Sequence, residues 1–302
     1  MPQFDGVLAA AVTPSRTDAY QMDLGAALEV IDFLNAQGVR GIALFGATGE
    51  FPHFPTEERI RFTHMAIKRS RVPLIVNATH SCFEEAEKIA EDAIANGAAG
   101  LLLMPPYFFR YSAEEIREFM LRMKDEIGKQ VPLLLYNLPA FNNAIPIEVA
   151  LELIEQDVVA GIKDSSGDWT YLLKLIEARR SKEFVLMVGN DNLLTRGRTA
   201  GADGVISGCA CAVPELVIGL NRAIERSSDA TIVMLTARLA EFIRWIETFP
   251  GPSGVREAVG VRGIKVGLRS IPFAQSTEKR MEEFRNWFRE WLPVVVKEAQ
   301  QA

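Results

Sequence analysis

Short apolar runs alternate with longer segments of helical period along most of the chain. The first run, Val7 to Val12, stops at Thr13 and Pro14 and reads as a strand entering a loop. Asp23 then stands as an N-cap before a helix with Leu24, Leu28, Ile31 and Leu34 on one face and Gly38 as its stop. The pattern recurs with Gly41 to Phe45 as the second strand and a helix opening at Thr56, with Glu58 and Arg59 close behind. PLIVNA from Pro73 predicts strand three, Phe83 to Asn96 a helix halted by Gly97, and AAGLLLM strand four. Ser112 caps a helix through Ile127 that ends at Gly128. PLLLYNLP from Pro132 is strand five, Ile147 to Ile154 a short helix, and VVAGIK, residues 158–163, strand six. A helix over Trp169 to Arg180, FVLMVG as strand seven, a helix over Asn192 to Ala200 and GADGVISG as strand eight follow. Pro214 to Ala223 supplies the last helix of the series.

Eight strand-then-helix cycles with short links are what a closed α/β barrel, (β/α)8, requires. An open doubly wound sheet competes, but no GxGxxG follows the first strand, and the cycle count suits closure. Beyond about Ile224 the strand signal ends. TIVMLTARLAEFIRWIETF reads as an amphipathic helix up to Pro250-Gly251-Pro252, and Val255 to Val266 and Thr277 to Val296 read as two more. The expected organisation is a barrel over residues 1–224 and a C-terminal helical extension over 225–302. Its stripe of Phe242, Trp245, Phe284, Trp287 and Trp291 reads most simply as helix-packing surface, the alternative being that some of it is a subunit contact.

Composition narrows the partners. At 302 residues, 48% hydrophobic and 24% charged, the chain is long enough for one large barrel. A net charge of -6 without basic clusters excludes broad binding to nucleic acid or to an anionic membrane. No apolar run approaches the about 20 residues of a membrane span, and no basic leader precedes the first one, so a cytoplasmic location is expected. Cys82, Cys209 and Cys211 lack metal-ligand spacing, and their odd number argues against a disulfide framework. His53, His64 and His80 form neither HxH nor HExxH. Neither metal nor cofactor is expected.

One stretch carries chemistry. In DVVAGIKDSSGD an apolar strand delivers Lys163 to its end. An amine drawn toward low dielectric gives up its proton more readily, and a free amine attacks carbonyls to form a Schiff base. The alternative is a strand-end lysine that reaches solvent or pairs with Asp164. In a barrel the ends of neighbouring strands lie side by side at the C-terminal face. Strand five would bring Tyr136 beside Lys163, where a phenol can pass protons, or simply pack as a barrel aromatic. Strand two brings Gly46-Ala47-Thr48-Gly49-Glu50, whose N–H groups and threonine hydroxyl suit a carboxylate, or form a tight turn without a ligand. Glu50 reads as orienting that loop. Gly189 after strand seven and Ile206 on strand eight would complete the rim.

GATGEFP, MPPYFF, YNLP, GIKDSSGD, VGND and GADGVISG, in this order, resemble the dihydrodipicolinate synthase and N-acetylneuraminate lyase superfamily. The resemblance spans nearly the entire chain. It implies a TIM barrel, usually a homotetramer, in which Lys163 forms a Schiff base with pyruvate or another 2-oxo acid. It further implies that Tyr136 relays protons and that Ala47 and Thr48 lie at the carboxylate-binding turn. Three positions depart from the synthase pattern. Ala47 stands where a relay hydroxyl is usual, Phe108 where a tyrosine reaches across a subunit interface, with Tyr107 beside it, and Phe141 where an arginine holds the second substrate's carboxylate. The expected function is therefore a class I lyase, aldolase or dehydratase acting on pyruvate or a 2-keto-3-deoxy acid. The alternatives are a true dihydrodipicolinate synthase using aspartate semialdehyde and a non-catalytic barrel that binds a keto acid. A small-molecule 2-oxo acid and further copies of the chain, as dimer or tetramer, are the partners this reading implies.

Overall fold

The computed structural model describes residues 4–302. Eight parallel strands close into a barrel in chain order, β8 pairing back onto β1. The first half runs β1 Gly6–Ala10, α1 Leu24–Gln37, β2 Gly41–Leu44, α2 Thr56–Arg69, β3 Leu74–Asn77, α3 Phe83–Ala95, β4 Gly100–Leu103 and α4 Ala113–Ile127. The second runs β5 Leu133–Asn137, α5 Ile147–Glu155, β6 Gly161–Asp164, α6 Trp169–Ala178, β7 Val185–Val188, α7 Leu194–Thr199 and β8 Gly204–Ser207. A short α8, Cys209–Ala212, precedes α9, Pro214–Glu225. The tail is α10 Asp229–Ile246, α11 Ser253–Val261 and α12 Gln275–Gln300.

Local chemistry accounts for the helix ends. The Asp23 carboxylate accepts from the N–H of Ala26, and Gly38 closes α1 in the left-handed region that glycine adopts without strain. Ser112 and Glu115 form a reciprocal capping box at α4. On α1 the buried face is Ala26, Ala27, Val30, Ile31 and Leu34, while Leu24 and Leu28 are only partly covered.

Strand six is shorter than its apolar run. Val158 and Val159 form a buried bend, not strand, because the chain must first turn off α5. Ala160 bonds to the flanking chains, its N–H donating to the Leu133 carbonyl at 2.8 Å and its carbonyl accepting from the Val185 N–H at 2.9 Å. Asp157 takes φ 55°, and the N–H groups of Val158 and Val159 return to the carbonyl of Leu153. The strand begins at Gly161, where a Cβ would overlap the Val185 carbonyl of β7. At its other end Asp164 closes the strand, so Lys163 is the penultimate residue.

The tail helices α10 and α12 both lie on α9. Phe242, Phe284 and Phe288 are fully buried between them, with Trp291 stacked 5.8 Å from Phe242. Burying each ring contributes about 1.5–3 kcal/mol, which fastens the tail to the barrel. The Trp291 indole N–H donates to Glu241 at 2.7 Å, so its one polar atom is satisfied.

Candidate active site

Strands β5 and β6 are neighbours, and their register sets Tyr136 opposite Lys163 and Asn137 opposite Asp164. Because successive side chains point to opposite faces, the first pair enters the barrel and the second faces outward. The outer pair is bonded: the Asn137 amide donates to Asp164 Oδ1 at 3.0 Å. Ser166 donates to the same carboxylate through its N–H at 3.1 Å and its hydroxyl at 3.0 Å. Burial raises the Asp164 pKa to about 6, against the pull of these three donors.

The inner pair sits close together. Lys163 is 3% exposed and Tyr136 2%, and the ammonium nitrogen lies 3.9 Å from the centroid of the tyrosine ring. Lys163 therefore neither reaches bulk solvent nor pairs with Asp164, which points away on the far face. Among the described residues it enters no ion pair. A methyl group built on Gly46 would stand 3.9 Å from both Lys163 Nζ and Tyr136 Oη, so the two reactive atoms flank the same glycine.

Both groups line a cavity of about 250 Å³ at the C-terminal end of the strands. Ala47, Thr48, Gly189 and Ile206 line it too, so every candidate from the sequence is brought to one place. The segment from Gly46 to Glu50 is a double turn, in which the N–H of Gly49 returns to the Gly46 carbonyl and that of Glu50 to Ala47. The N–H groups of Ala47 and Thr48 make no hydrogen bond among the described residues, leaving two donors for an anion. Thr48 Oγ1 lies against Gly208, where a Cβ would approach it to 2.9 Å. Gly189 packs against the lysine stem, since a Cβ there would stand 2.9 Å from Lys163 Cε. Ser165, also on the wall, has a buried hydroxyl without a partner among the described residues.

Asp191 was legible only as part of the rim motif VGND, and its role comes from packing. Its carboxylate accepts from the Ser207 hydroxyl and from the Cys209 N–H at 3.1 Å. Burial raises its pKa, opposed by those donors and by the charge of Lys163. Glu50 does hold the loop: its carboxylate meets Arg256 of α11 at 2.8 Å, both side chains buried. Arg256 also donates to the carbonyls of Thr13, Val266 and Leu268, tying the turn after β2 to the tail.

Sequence reading missed the contribution of the tail. Ile243 and Ile246 of α10 and Val255 of α11, with Pro252 and Glu247, form the outer wall together with Leu138 and Phe141 after β5. The spacing of 243, 246 and 247 was a visible signal of one helix face, but nothing local said what that face would cover. Tyr107 lies outside this cavity, packed edge-on against Phe51 at 5.5 Å and His80 at 6.2 Å. Phe108 is 87% exposed.

A closed (β/α)8 barrel with a buried amine and a phenol at the C-terminal strand ends is the framework of an enzyme that forms Schiff bases. Residues 3–290 match the dihydrodipicolinate synthetase family, and the chain belongs to it. It is accordingly a class I lyase. A 4-hydroxy-tetrahydrodipicolinate synthase of Methanosphaerula palustris is 30% identical over 274 residues, 89% of this chain and 93% of that one. Another from Methanoculleus marisnigri is 29% identical over 288 residues, 93% of this chain and 97% of that one. Among solved structures, the 4-hydroxy-tetrahydrodipicolinate synthase of Methylacidiphilum fumariolicum superposes with TM-score 0.88 at 23% identity, covering 98% of this chain and 99% of that one. The sialic acid aldolase of Ruminococcus gnavus superposes with TM-score 0.86 at 18% identity, covering 95% and 98%. At these identities the superpositions speak for the fold. No helix among the described residues is long and apolar enough to cross a membrane.

Proposed function

We propose that the chain makes or breaks a carbon–carbon bond beside the carbonyl of a 2-oxo acid, pyruvate or a 2-keto-3-deoxy acid, bound covalently to Lys163. The observation that supports this most is the lysine nitrogen 3.9 Å from the Tyr136 ring in the cavity at the C-terminal end of the strands. In this reading the amine attacks the keto carbon and loses water to form an iminium. Tyr136 moves protons to and from the carbinolamine and the substrate oxygen. The 2-oxo acid's carboxylate takes the free N–H groups of Ala47 and Thr48 and the Thr48 hydroxyl, while Gly189 and Ile206 shape the walls. No metal or cofactor takes part in these steps.

Reduction with borohydride in the presence of pyruvate, read by intact mass, tests this. The expected result is one adduct per chain, lost in Lys163→Ala and retained in Tyr136→Phe, which should lower turnover by roughly 10²–10⁴-fold. Wild-type protein without an adduct would overturn the reading. A second reading, favoured by the names of the relatives, is that the chain is itself a 4-hydroxy-tetrahydrodipicolinate synthase. Turnover of pyruvate with aspartate semialdehyde at an ordinary metabolic rate would establish it. We also propose a cytoplasmic homo-oligomer, dimer or tetramer: Phe108 and Phe109, exposed side by side, are apolar surface suited to a second copy.

A further inference from the structure

Resting on the Schiff-base reading, we infer that the second half of the substrate is an uncharged aldehyde with an apolar body, selected by the helical tail and Phe141. The cavity has two ends of different character. Lys163, Tyr136, Ala47 and Thr48 occupy the inner one. The outer one is walled mainly by Leu138 and Phe141 after β5, Ile243 and Ile246 of α10, and Val255 of α11, with Glu247 and its partner Asn192 also on the lining. Burying apolar surface against such a wall contributes about 25 cal/mol per Å², an attraction that a hydrated, many-hydroxyl chain cannot use.

Charge points the same way. Lys163 is the only cation on the lining among the described residues, and the covalent bond uses it. The lining's two other charged groups are carboxylates, Asp191 and Glu247. Each is held in place: Asp191 by Ser207 and Cys209, Glu247 by the Asn192 amide at 2.9 Å. Asp191 lies at the inner end, on the same side as Thr48, so the fixed acid that faces the second half is Glu247. An aldehyde bearing its own carboxylate would meet it and no free guanidinium, which is repulsion without compensation. Size agrees, because about 250 Å³ lies below the roughly 300–1,000 Å³ of drug-sized sites and suits a short molecule.

The reaction balances without a further reactant. The enamine carbon derived from pyruvate attacks the aldehyde carbon and forms the new bond. The carbonyl electron pair moves onto the aldehyde oxygen, which takes a proton. Water then hydrolyses the iminium, releasing a 4-hydroxy-2-oxo acid and restoring the amine. Cleavage is the same sequence reversed.

The test is a panel in which the full chain and pyruvate are given benzaldehyde, hexanal, glyceraldehyde, succinic semialdehyde or aspartate semialdehyde, with the 4-hydroxy-2-oxo acid or its cyclised product measured by mass spectrometry. Benzaldehyde or hexanal should exceed both carboxylated aldehydes in kcat/KM by at least about tenfold. Phe141→Arg, at a side chain 71% exposed and outside the core, should move that ratio at least about tenfold toward succinic semialdehyde. Preference of the wild type for a carboxylated aldehyde or for glyceraldehyde, or an unmoved ratio in the variant, would overturn the inference, as would turnover of none. Borohydride trapping with pyruvate alone separates the two levels. A missing adduct defeats the Schiff-base reading itself, and an adduct with the wrong preference defeats only the assignment of the second half.

Discussion

Lys163 owes its position to small neighbours as much as to its own strand. Gly189 leaves room for the lysine stem, and a methyl there would press on Cε and overlap the Ser165 hydroxyl. Ser165 can rotate away, whereas the stem must tilt and carry the nitrogen off the Tyr136 ring. Gly189→Ala should therefore fold normally and lose on the order of 10–100-fold in kcat/KM, with a matching fall in the rate of borohydride trapping. Normal trapping would show that the close approach at Gly189 does not govern the amine. Lys163 and Tyr136 were readable as a pair because they end adjacent strands in the chain order of a barrel. That Asp164 faces the other way was equally implicit in strand alternation, but only once the strand was known to begin at Gly161 and to include both residues.

At the scale of elements, the turn after β2 and helix α11 form one unit through Glu50 and Arg256. Both side chains are buried, so removing the guanidinium leaves a carboxylate without its partner in low dielectric. Arg256→Met should cost roughly 3–5 kcal/mol in urea unfolding, and Glu50→Gln in the same chain should restore part of it. If the turn binds a carboxylate as proposed, the same variant should raise KM for pyruvate more than it lowers kcat. A loss of stability with KM unchanged would reduce Arg256 to a structural tie. Glu50 was legible as a loop-orienting residue, since it follows the turn without a place in the chemistry. Its partner was not, because Arg256 lies 206 residues further on.

For the whole molecule, the barrel's stability carries a mark of the strand pair that bears the site. Burial pushes the Asp164 carboxyl up to about 6 from the ordinary aspartate value of 3.8. A carboxyl whose pKa rises on folding binds its proton more tightly in the native state, so between pH 3.8 and 6 stability falls as pH rises. Asp164→Asn should gain on the wild type across that window by on the order of 3 kcal/mol, measured as the difference in urea unfolding free energy at pH 4 and pH 7. A constant difference would remove the carboxyl as the source. The number of strand–helix cycles and the helix caps were determined by the sequence alone, since periodicity and turn residues are local properties. The pairing of Lys163 with Tyr136 followed from them once a barrel closing in chain order set β5 beside β6. Tertiary structure alone decided that Val158 and Val159 turn back onto α5 before the strand begins. It alone also decided that Ile243, Ile246 and Val255 wall the cavity. Both depend on what distant segments do when the barrel closes and the tail folds over it, and no local pattern encodes the partner that a buried apolar face will meet.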